Sequence, residues 1–279
     1  MKPLEFLADV LPSPGHGWYC AAELSSSKKE HVFIDGVAAV RPTIKRWLER
    51  KRDIYFALAT FKDNVGGRKA TNAAYIKAIF IDMDGYVSKK AAALALAGFL
   101  EKTGLDEFGT PHIVGSGGGL HCYWVLNAPV DIATWKPIAE NFKRLCKQEG
   151  LSIDQTVTAD AARVLRIPNT FNFKAKYAEP RPVQFLAQGS GPIDLKRFGA
   201  TIRGLLTEAF APASNAFVAT SVDLPGTRPS KARTAKSAAA EAMMSNSVTR
   251  FEPIWMKSEK SMGCGQLEFY MKNAEQDGM

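Results

Sequence analysis

The chain has 279 residues, a net charge of +8 at pH 7, and a composition of 46% hydrophobic and 23% charged residues. These values exclude a disordered polymer and predict one or two soluble globular domains. No apolar run approaches the roughly 20 residues of a membrane span, and the first residues lack the apolar segment of a secretory signal, so we expect a cytoplasmic protein without a membrane partner. The positive charge favours polyanionic partners such as nucleic acids, although simple solvation also accounts for it.

Residues 1–75 alternate short apolar strands with one amphipathic helix, which predicts a small α/β module. Pro42 suits the first turn of that helix, because its missing N–H has no partner to lose there. The predicted elements are strands over 18–24 and 31–34, a helix over 43–51 and a strand over 53–61, followed by a polar loop over 62–72.

The next segment has a more regular pattern of alternating strands and helices. The predicted elements are strand 76–83, helix 89–103, strands 111–115 and 119–126, helix 132–149 and strand 151–157. This β-α-β-β-α-β order is that of the ferredoxin-like or RRM-like unit. The fold class is therefore predicted as α+β, with the N-terminal α/β module packed on an RRM-like module over 76–190.

The remaining residues predict a strand over 182–187 and a helix over 195–210. Residues 211–236 are rich in Ala, Ser, Thr and Pro and are predicted to be a linker. Two further helices, over 237–245 and 265–272, are predicted within a small C-terminal helical segment, 237–279. The chain is thus divided into a main domain of residues 1–210, the linker, and what we interpret as the start of a helical domain.

Two carboxylates end the first strand of the RRM-like unit. Asp82 and Asp84 are spaced i, i+2, so both emerge on one face of the strand, where they repel each other unless a cation lies between them. In this topology the first strand lies between the third and the fourth. The third strand begins near His121 and the fourth near Asp154, so we expect all four side chains to meet.

Three carboxylates at one place predict an oxygen-ligand site for Mg²⁺ or Mn²⁺ together with substrate phosphates. The predicted ligands are Asp82, Asp84 and Asp154, with Asp160 as the next candidate for the third position. Two such ions can activate an attacking 3′-hydroxyl and stabilise a pyrophosphate leaving group.

A glycine-rich turn, 115–121, connects the two middle strands. Its backbone N–H groups can approach a triphosphate, so Ser116, Gly117, Gly118 and His121 are predicted to bind nucleotide. The alternative is an ordinary hairpin turn that carries an incidental histidine.

Three cations follow the predicted Asp154 strand. Arg163, Arg166 and Lys174 are predicted to bind nucleotide phosphates, because guanidinium and ammonium groups pair well with phosphate oxygens. One arginine can instead pair with Asp160 and hold the loop, and for Arg163 the two interpretations are nearly balanced.

These segments together resemble the archaeo-eukaryotic primase superfamily, in the style of its phage and plasmid primase-polymerases. That superfamily is marked by an Asp-x-Asp strand, a turn of small residues ending in Ser…His, and a later strand Asp. The corresponding segments are 80–84, 116–121 and 153–154, and the run 157–172 is similar to the family's Val-Thr…Asp…Arg-Leu-Ile-Arg-x-Pro sequence. The resemblance covers about residues 50–190.

The resemblance implies a metal-dependent DNA primase-polymerase that copies single-stranded DNA with dNTPs or NTPs and works with a replicative helicase, in the same chain or separate, during phage or plasmid replication in a bacterial host. It implies Asp82, Asp84 and Asp154 as metal ligands, with His121 and Ser116 on the triphosphate. Asn172 stands where archaeal primase small subunits have a histidine, so its predicted role in nucleotide binding is open. The four cysteines form no CxxC pair, and no zinc site is expected.

Two alternatives remain at this stage. The run 81–85, Ile-Asp-Met-Asp-Gly, also resembles the nucleophile strand of haloacid-dehalogenase-type phosphatases, in which Asp82 would attack phosphate and Asp84 would act as acid and base. The second alternative is a non-catalytic RRM-like module that binds single-stranded nucleic acid, with bases stacked on Phe80 and Tyr123.

Overall fold

The computed structural model describes residues 1–25 and 27–208. Its helices and strands follow in the order α1 (Pro3–Val10), β1 (Tyr19–Glu23), β2 (Glu30–Ile34), α2 (Arg41–Glu49), β3 (Ile54–Ala57), β4 (Ala59–Phe61), β5 (Ala73–Met83), α3 (Lys89–Thr103), β6 (His112–Gly115), β7 (Leu120–Asp131), α4 (Ile132–Gln148), β8 (Val164–Arg166), β9 (Thr170–Asn172), β10 (Arg181–Ala187) and α5 (Leu195–Glu208). Short 3-10 helices lie before α2 and after α3.

The strands form two sheets. One has four strands in the order β2-β1-β3-β8, and the other has six in the order β4-β5-β7-β6-β10-β9. Neighbouring strands in both sheets pair antiparallel. The predicted α+β class is therefore confirmed as a mixed fold with antiparallel sheets.

Two of the helices that pack on the six-stranded sheet, α3 and α4, are well defined by the sequence pattern. Helix α3 has the predicted bounds, because the Ser88 hydroxyl accepts a hydrogen bond from the Ala91 N–H at its start and Gly104, at φ 68°, ends it. Asp131 caps α4 in the same way by accepting from the Thr134 N–H. Each cap satisfies a backbone N–H that the helix itself leaves without a partner.

The core of the six-stranded sheet contains the two aromatic rings that the sequence suggested as a stacking surface for bases. Phe80 and Tyr123 are only 1% and 0% exposed. Phe80 stacks on Trp135 at 5.9 Å between ring centroids, and Tyr123 packs edge-on against Phe6 at 5.3 Å. The prediction that bases stack on these two rings is wrong, because both rings are core side chains.

The predicted strand over 53–61 is two strands in two sheets. Strand β3 pairs with β1 and β8, whereas β4, one residue later, pairs with β5. A continuous apolar run predicts burial but does not indicate which sheet each half joins. This segment therefore carries the chain from the four-stranded to the six-stranded sheet.

The predicted strand over 151–157 is wrong. The segment forms turns, and it meets the end of β5 through one backbone hydrogen bond, from the Asp154 N–H to the Asp82 carbonyl at 2.8 Å. The Asp154 carboxylate accepts from the backbone N–H groups of Thr156 and Val157, and such local bonds compete with a sheet ladder. The segment still brings Asp154 beside Asp82, through a turn rather than a strand.

The predicted linker, 211–236, and the predicted helical segment, 237–279, lie outside the described residues, as do the last two residues of the predicted helix 195–210. The division of the main domain near residue 75 stays a prediction. None of the helices in the described part of the chain combines the length and apolar character that crossing a membrane requires.

Candidate active site

A pocket of about 370 Å³, part of it open to solvent, contains most of the side chains that the sequence singles out. Strands of both sheets contribute to its lining, since β3 and β8 come from the four-stranded sheet and β5 and β7 from the six-stranded sheet. The predicted site residues in its lining are Asp82, Asp84, Ser116, Gly118, His121, Arg166, Asn172 and Lys174.

Asp82 is an electrostatically unusual group in this pocket. Its Oδ1 atom is buried and has no hydrogen-bond partner among the described residues. Burial, then the charges of Asp84 and Asp154, raises the pKa of Asp82 to about 7, although Lys174 and Arg163 oppose the rise. An ionised carboxylate at this position therefore lacks the stabilisation that a bound cation would supply.

His121 lies directly across from Asp82 in the β5–β7 register, and its Nε2 atom is 3.7 Å from Asp82 Oδ1. Burial, then the positive charges of Arg166 and Lys174, lowers the pKa of His121 to about 3, so the imidazole is neutral. The Tyr123 hydroxyl lies 3.3 Å from Nδ1 and can donate to it, which leaves the proton on Nε2. His121 can thus act as a neutral hydrogen-bond donor toward the pocket.

The glycine-rich turn is held by hydrogen bonds within it and by one from Asn172. The Ser116 N–H donates to the Gly119 carbonyl at 2.9 Å, and the Gly119 N–H donates to the Ser116 hydroxyl at 3.0 Å. The Asn172 amide donates to the Ser116 carbonyl at 3.1 Å. Gly117, at φ 82°, lies so close to Asn172 that an added Cβ would come within 2.8 Å of the Asn172 Cβ. Asn172 therefore fixes the turn as well as lining the pocket.

Gly119 sits against the end of strand β5. A Cβ at this position would overlap the Met83 carbonyl oxygen and Asp84 Oδ1. Gly119→Ala is therefore expected to displace the strand end and to lower the free energy of unfolding by roughly 1–3 kcal/mol, the usual cost of overpacking.

Gly98→Ala provides the matched control for this change. An added Cβ at Gly98, inside α3, meets nothing within 4 Å, and alanine is the better helix former by about 1 kcal/mol. Urea unfolding of both variants measures the contrast. Equal free energies of unfolding for Gly119→Ala and the parent chain would contradict this prediction, because the end of β5 would then accommodate the added Cβ without destabilising the fold.

Asp154 and Asp160 are both engaged in local turns. Asp154 Oδ1 accepts from the Thr156 N–H at 2.8 Å and the Thr156 hydroxyl at 2.7 Å. Burial acts to raise the pKa of Asp154, but hydrogen bonds from Thr156 and Val157 and the charge of Arg163 leave it below its usual value. Asp160 Oδ1 accepts from the Ala162 N–H at 2.9 Å. Asp154 is thus close enough to influence Asp82, but part of its carboxylate is already occupied.

Arg163 holds the turn rather than the pocket. Its Nη2 atom donates to the Thr156 carbonyl at 2.6 Å and lies 3.4 Å from Asp160 Oδ2. Of the two interpretations of Arg163, this geometry favours the pairing with Asp160. Neither residue is among those that line the pocket.

Arg166 is held by residues that the sequence did not indicate. Its Nη1 atom donates to Asp53 Oδ1 at 2.6 Å, and its guanidinium lies 4.6 Å from the centre of the Tyr55 ring. Its Nη2 atom is buried and has no hydrogen-bond partner among the described residues. Tyr177 also lines the pocket, with the Arg181 guanidinium 4.0 Å from its ring centre. No motif or spacing distinguishes Asp53, Tyr55 or Tyr177 before the fold is known.

The pocket therefore has an acidic side and a basic side. Asp82 and Asp84 provide oxygen ligands, which hard cations such as Mg²⁺ and Mn²⁺ prefer, and one of these oxygens is buried with no partner among the described residues. In the described part of the chain, no three His, Cys, Asp or Glu side chains lie close enough as placed to hold an ion. The donor set fits a divalent cation, and Arg166 and Lys174 fit an anion beside it.

Comparisons with known proteins agree with this fold. No model of a known protein family matches the sequence. The AEP domain of the primase-polymerase of cyanophage S-2L superposes with a TM-score of 0.53 at 18% identity, over 71% of this chain and 95% of that domain. The chain has the fold of a primase-polymerase AEP domain. The resemblance to the archaeo-eukaryotic primases is thereby confirmed for the fold.

Two further similarities are more limited. A crystal structure of the primase RepB′ matches with a TM-score of 0.49 at 12% identity, over 75% of this chain and 64% of that one. A replication protein of Clostridium perfringens is 30% identical over 128 residues, which are 44% of this chain and 30% of that protein. The chain thus spans under a third of the length of the curated relative that it matches.

Proposed function

We propose that this chain is a metal-dependent nucleotidyltransferase that copies single-stranded DNA and both starts and extends primers during phage or plasmid replication. The six-stranded sheet, with α3 and α4, would be its RRM-like catalytic module. The AEP fold and the similarity to a replication protein support this proposal. A replicative helicase as partner and a cytoplasmic site of action are part of the same proposal.

One observation carries the proposal. Asp82 and Arg166 line the same pocket, and Asp82 Oδ1 and Arg166 Nη2 are both buried with no hydrogen-bond partner among the described residues. Buried polar atoms without partners are rare in folded proteins, and here they have opposite charge. A nucleoside triphosphate with its divalent cation would satisfy both, because the cation binds carboxylate oxygens and the phosphates accept from the guanidinium.

Asp82, Asp84 and Asp154 would hold Mg²⁺ or Mn²⁺, which when bound activates a primer hydroxyl and neutralises charge on the leaving pyrophosphate. Asp154 would contribute the oxygen that its turn leaves over, since Oδ1 already accepts from Thr156. The side chains of the pocket would bind and orient the substrate through their positions and charges.

The basic side and the glycine turn would bind the triphosphate. Arg166 and Lys174 supply positive charge, and His121 donates from Nε2 as a neutral group. The Ser116 hydroxyl accepts from the Gly119 N–H, which leaves its own proton available to a phosphate oxygen. Gly117 and Gly118 let the backbone of the turn approach closely. Arg163 would act indirectly, by holding the turn that carries Asp154.

The proposal predicts labelled products when the protein is incubated with unprimed single-stranded DNA, nucleotides and Mg²⁺ or Mn²⁺. A primed template should be extended under the same conditions, and EDTA should abolish both reactions. Denaturing gels report product length, and separate dNTP and NTP reactions report which sugar is used. No incorporation on either template with either metal would contradict the proposal.

The same preparation distinguishes the phosphatase alternative. A haloacid-dehalogenase-type activity would release phosphate from a simple phosphoester without nucleic acid, by attack of Asp82. We expect no such release. Phosphate release that is lost in Asp82→Asn, together with absent incorporation, would favour the phosphatase.

A further inference from the structure

Asp53 immediately precedes strand β3 of the four-stranded sheet, and its side chain is only 7% exposed. One oxygen, Oδ1, accepts two hydrogen bonds, from Arg166 Nη1 at 2.6 Å and from the Phe173 N–H at 2.8 Å. Both donors belong to the segment that forms the basic side of the pocket. Asp53 does not line the pocket itself, so any role in binding must act through these donors.

The bond to Arg166 fixes the direction of the guanidinium. Nη1 is held by Asp53 and lies 3.5 Å from the Phe171 carbonyl, while the group sits over the Tyr55 ring. A guanidinium is planar, so a fixed Nη1 and a fixed stacking plane also fix Nη2. That Nη2 atom is a buried donor with no hydrogen-bond partner in the described part of the chain. Its orientation is therefore set before any ligand arrives.

The bond to the Phe173 N–H holds the backbone one residue before Lys174. The Lys174 N–H in turn donates to Asn172 Oδ1 at 3.2 Å, and the Asn172 amide donates to the Ser116 carbonyl in the glycine-rich turn. A single carboxylate thus connects the backbone at Lys174, the guanidinium of Arg166 and, through Asn172, the turn.

We propose that Asp53 is a positioning residue that presents Arg166 Nη2, together with Lys174, to the phosphates of the nucleotide. This proposal rests on the proposed function, because it assigns a triphosphate to this pocket. A buried ion pair that serves stability alone would not need to leave Nη2 without a partner. The proposal therefore predicts a selective effect on phosphate binding.

The test measures the affinity for inorganic tripolyphosphate by calorimetry in EDTA, so that only the protein's cations contribute. The variants are Asp53→Asn, Arg166→Gln and the double variant. Glu30→Gln is the control, because Glu30, on β2 of the same sheet, accepts from Arg46 Nη2 of helix α2 at 2.7 Å and lies outside the pocket. Thermal unfolding and single-stranded DNA affinity are measured for each variant.

We expect Asp53→Asn to weaken tripolyphosphate binding about tenfold, because a neutral amide holds the guanidinium less firmly than a carboxylate does. Arg166→Gln should weaken it at least as much, and the double variant should be no weaker than Arg166→Gln, since two residues that act through one contact are not additive. Tripolyphosphate affinity should change less than about twofold in Glu30→Gln. The affinity for single-stranded DNA should change less than about twofold in every variant. In steady-state assays, Asp53→Asn should raise the KM for nucleotide and leave the KM for template unchanged.

Unchanged tripolyphosphate binding in Asp53→Asn would overturn the proposal, as would effects that multiply in the double variant. Equal losses of phosphate and DNA affinity would also overturn it, because they indicate general damage. If Asp53→Asn does not fold, Asp53→Glu is measured in its place against the same outcomes. Failure of the parent chain to bind tripolyphosphate or nucleotide would instead reject the nucleotide site of the proposed function, and this inference with it.

Discussion

Asp82→Asn is expected to abolish nucleotide incorporation, by at least about 10³-fold, while the chain stays folded and binds single-stranded DNA as before. Asparagine keeps the shape of the side chain but removes the charge that a divalent cation needs. A loss of this size corresponds to several kcal/mol of transition-state stabilisation. Primer extension in Mg²⁺ and in Mn²⁺ measures the loss, and Asp106→Asn, at an exposed carboxylate outside the pocket, is the matched control.

The same variant is expected to be more stable than the parent chain when EDTA removes divalent ions. The folded-state pKa of Asp82, about 7, lies above its ordinary value of 3.8, so the folded chain disfavours the ionised form. Stability is then lost as the pH rises from about 4 to about 7, and Asp82→Asn removes this loss. At pH 8 the gain in the free energy of unfolding is expected to be at most ~4 kcal/mol, and it should shrink toward pH 4.

A loss of activity together with a gain in stability distinguishes a metal-ligand role of Asp82 from a structural role. If Asp82 had a structural role, its carboxylate would have hydrogen-bond partners that asparagine satisfies poorly. Asp82→Asn would then lower the free energy of unfolding. Urea unfolding at pH 8 and at pH 4, in EDTA, gives the comparison. Incorporation within about tenfold of the parent chain, or a loss of stability at pH 8, would contradict the proposed role of Asp82.

The sequence predicts that Asp82, Asp84 and His121 lie together, because local rules govern their placement. Strand alternation places Asp82 and Asp84 on one face, and the hairpin through the glycine-rich turn brings His121 into register with Asp82. Helix α3 is predicted with its bounds because Ser88 and Gly104 cap it. Each of these inferences depends on residues close in sequence or on one hairpin.

Arg166 and Lys174 are predicted as phosphate-binding cations, but the contacts that hold them in the pocket could not be predicted in this way, because those contacts are long-range. Asp53 and Arg166 are 113 positions apart, and they meet because β3 and β8 pair in the four-stranded sheet. An isolated aspartate before an apolar run carries no signal of such a partner. The short strands β8 and β9 were also missed, since three residues are too few to show a period.

The segment 164–172 connects the two sheets and contributes pocket residues from both of them. Strand β8 ends in the four-stranded sheet and β9 begins in the six-stranded sheet, and Asn169 between them adopts φ 61°, a left-handed conformation that asparagine tolerates better than most residues. Arg166 and Asn172 therefore belong to different sheets although six positions separate them. This short connection therefore places residues from both sheets in the same pocket as Asp82 of β5.

Asp154→Asn is expected to reduce incorporation at least about 100-fold, and Asp160→Asn to leave it within about threefold of the parent chain. Asparagine retains an oxygen that can accept from Thr156, so the turn persists and the variant isolates the charge of Asp154. The lowered pKa of Asp154 means that its ionised form stabilises the fold above about pH 4, and that this contribution is lost as the pH falls through its folded-state pKa. A small loss of stability at neutral pH is therefore expected as well.

Asp160→Asn provides the control in this comparison, because the two aspartates lie in successive turns but differ in their neighbours. Asp154 donates its backbone N–H to the Asp82 carbonyl, whereas Asp160 is engaged by the Ala162 N–H and by Arg163. Primer extension over a range of Mn²⁺ concentrations measures both variants, and a loss of cation affinity should appear as a raised Mn²⁺ requirement in Asp154→Asn alone. If Asp154→Asn retains synthesis and Asp160→Asn loses it, the third carboxylate is Asp160, and the turn must rearrange when the cation binds.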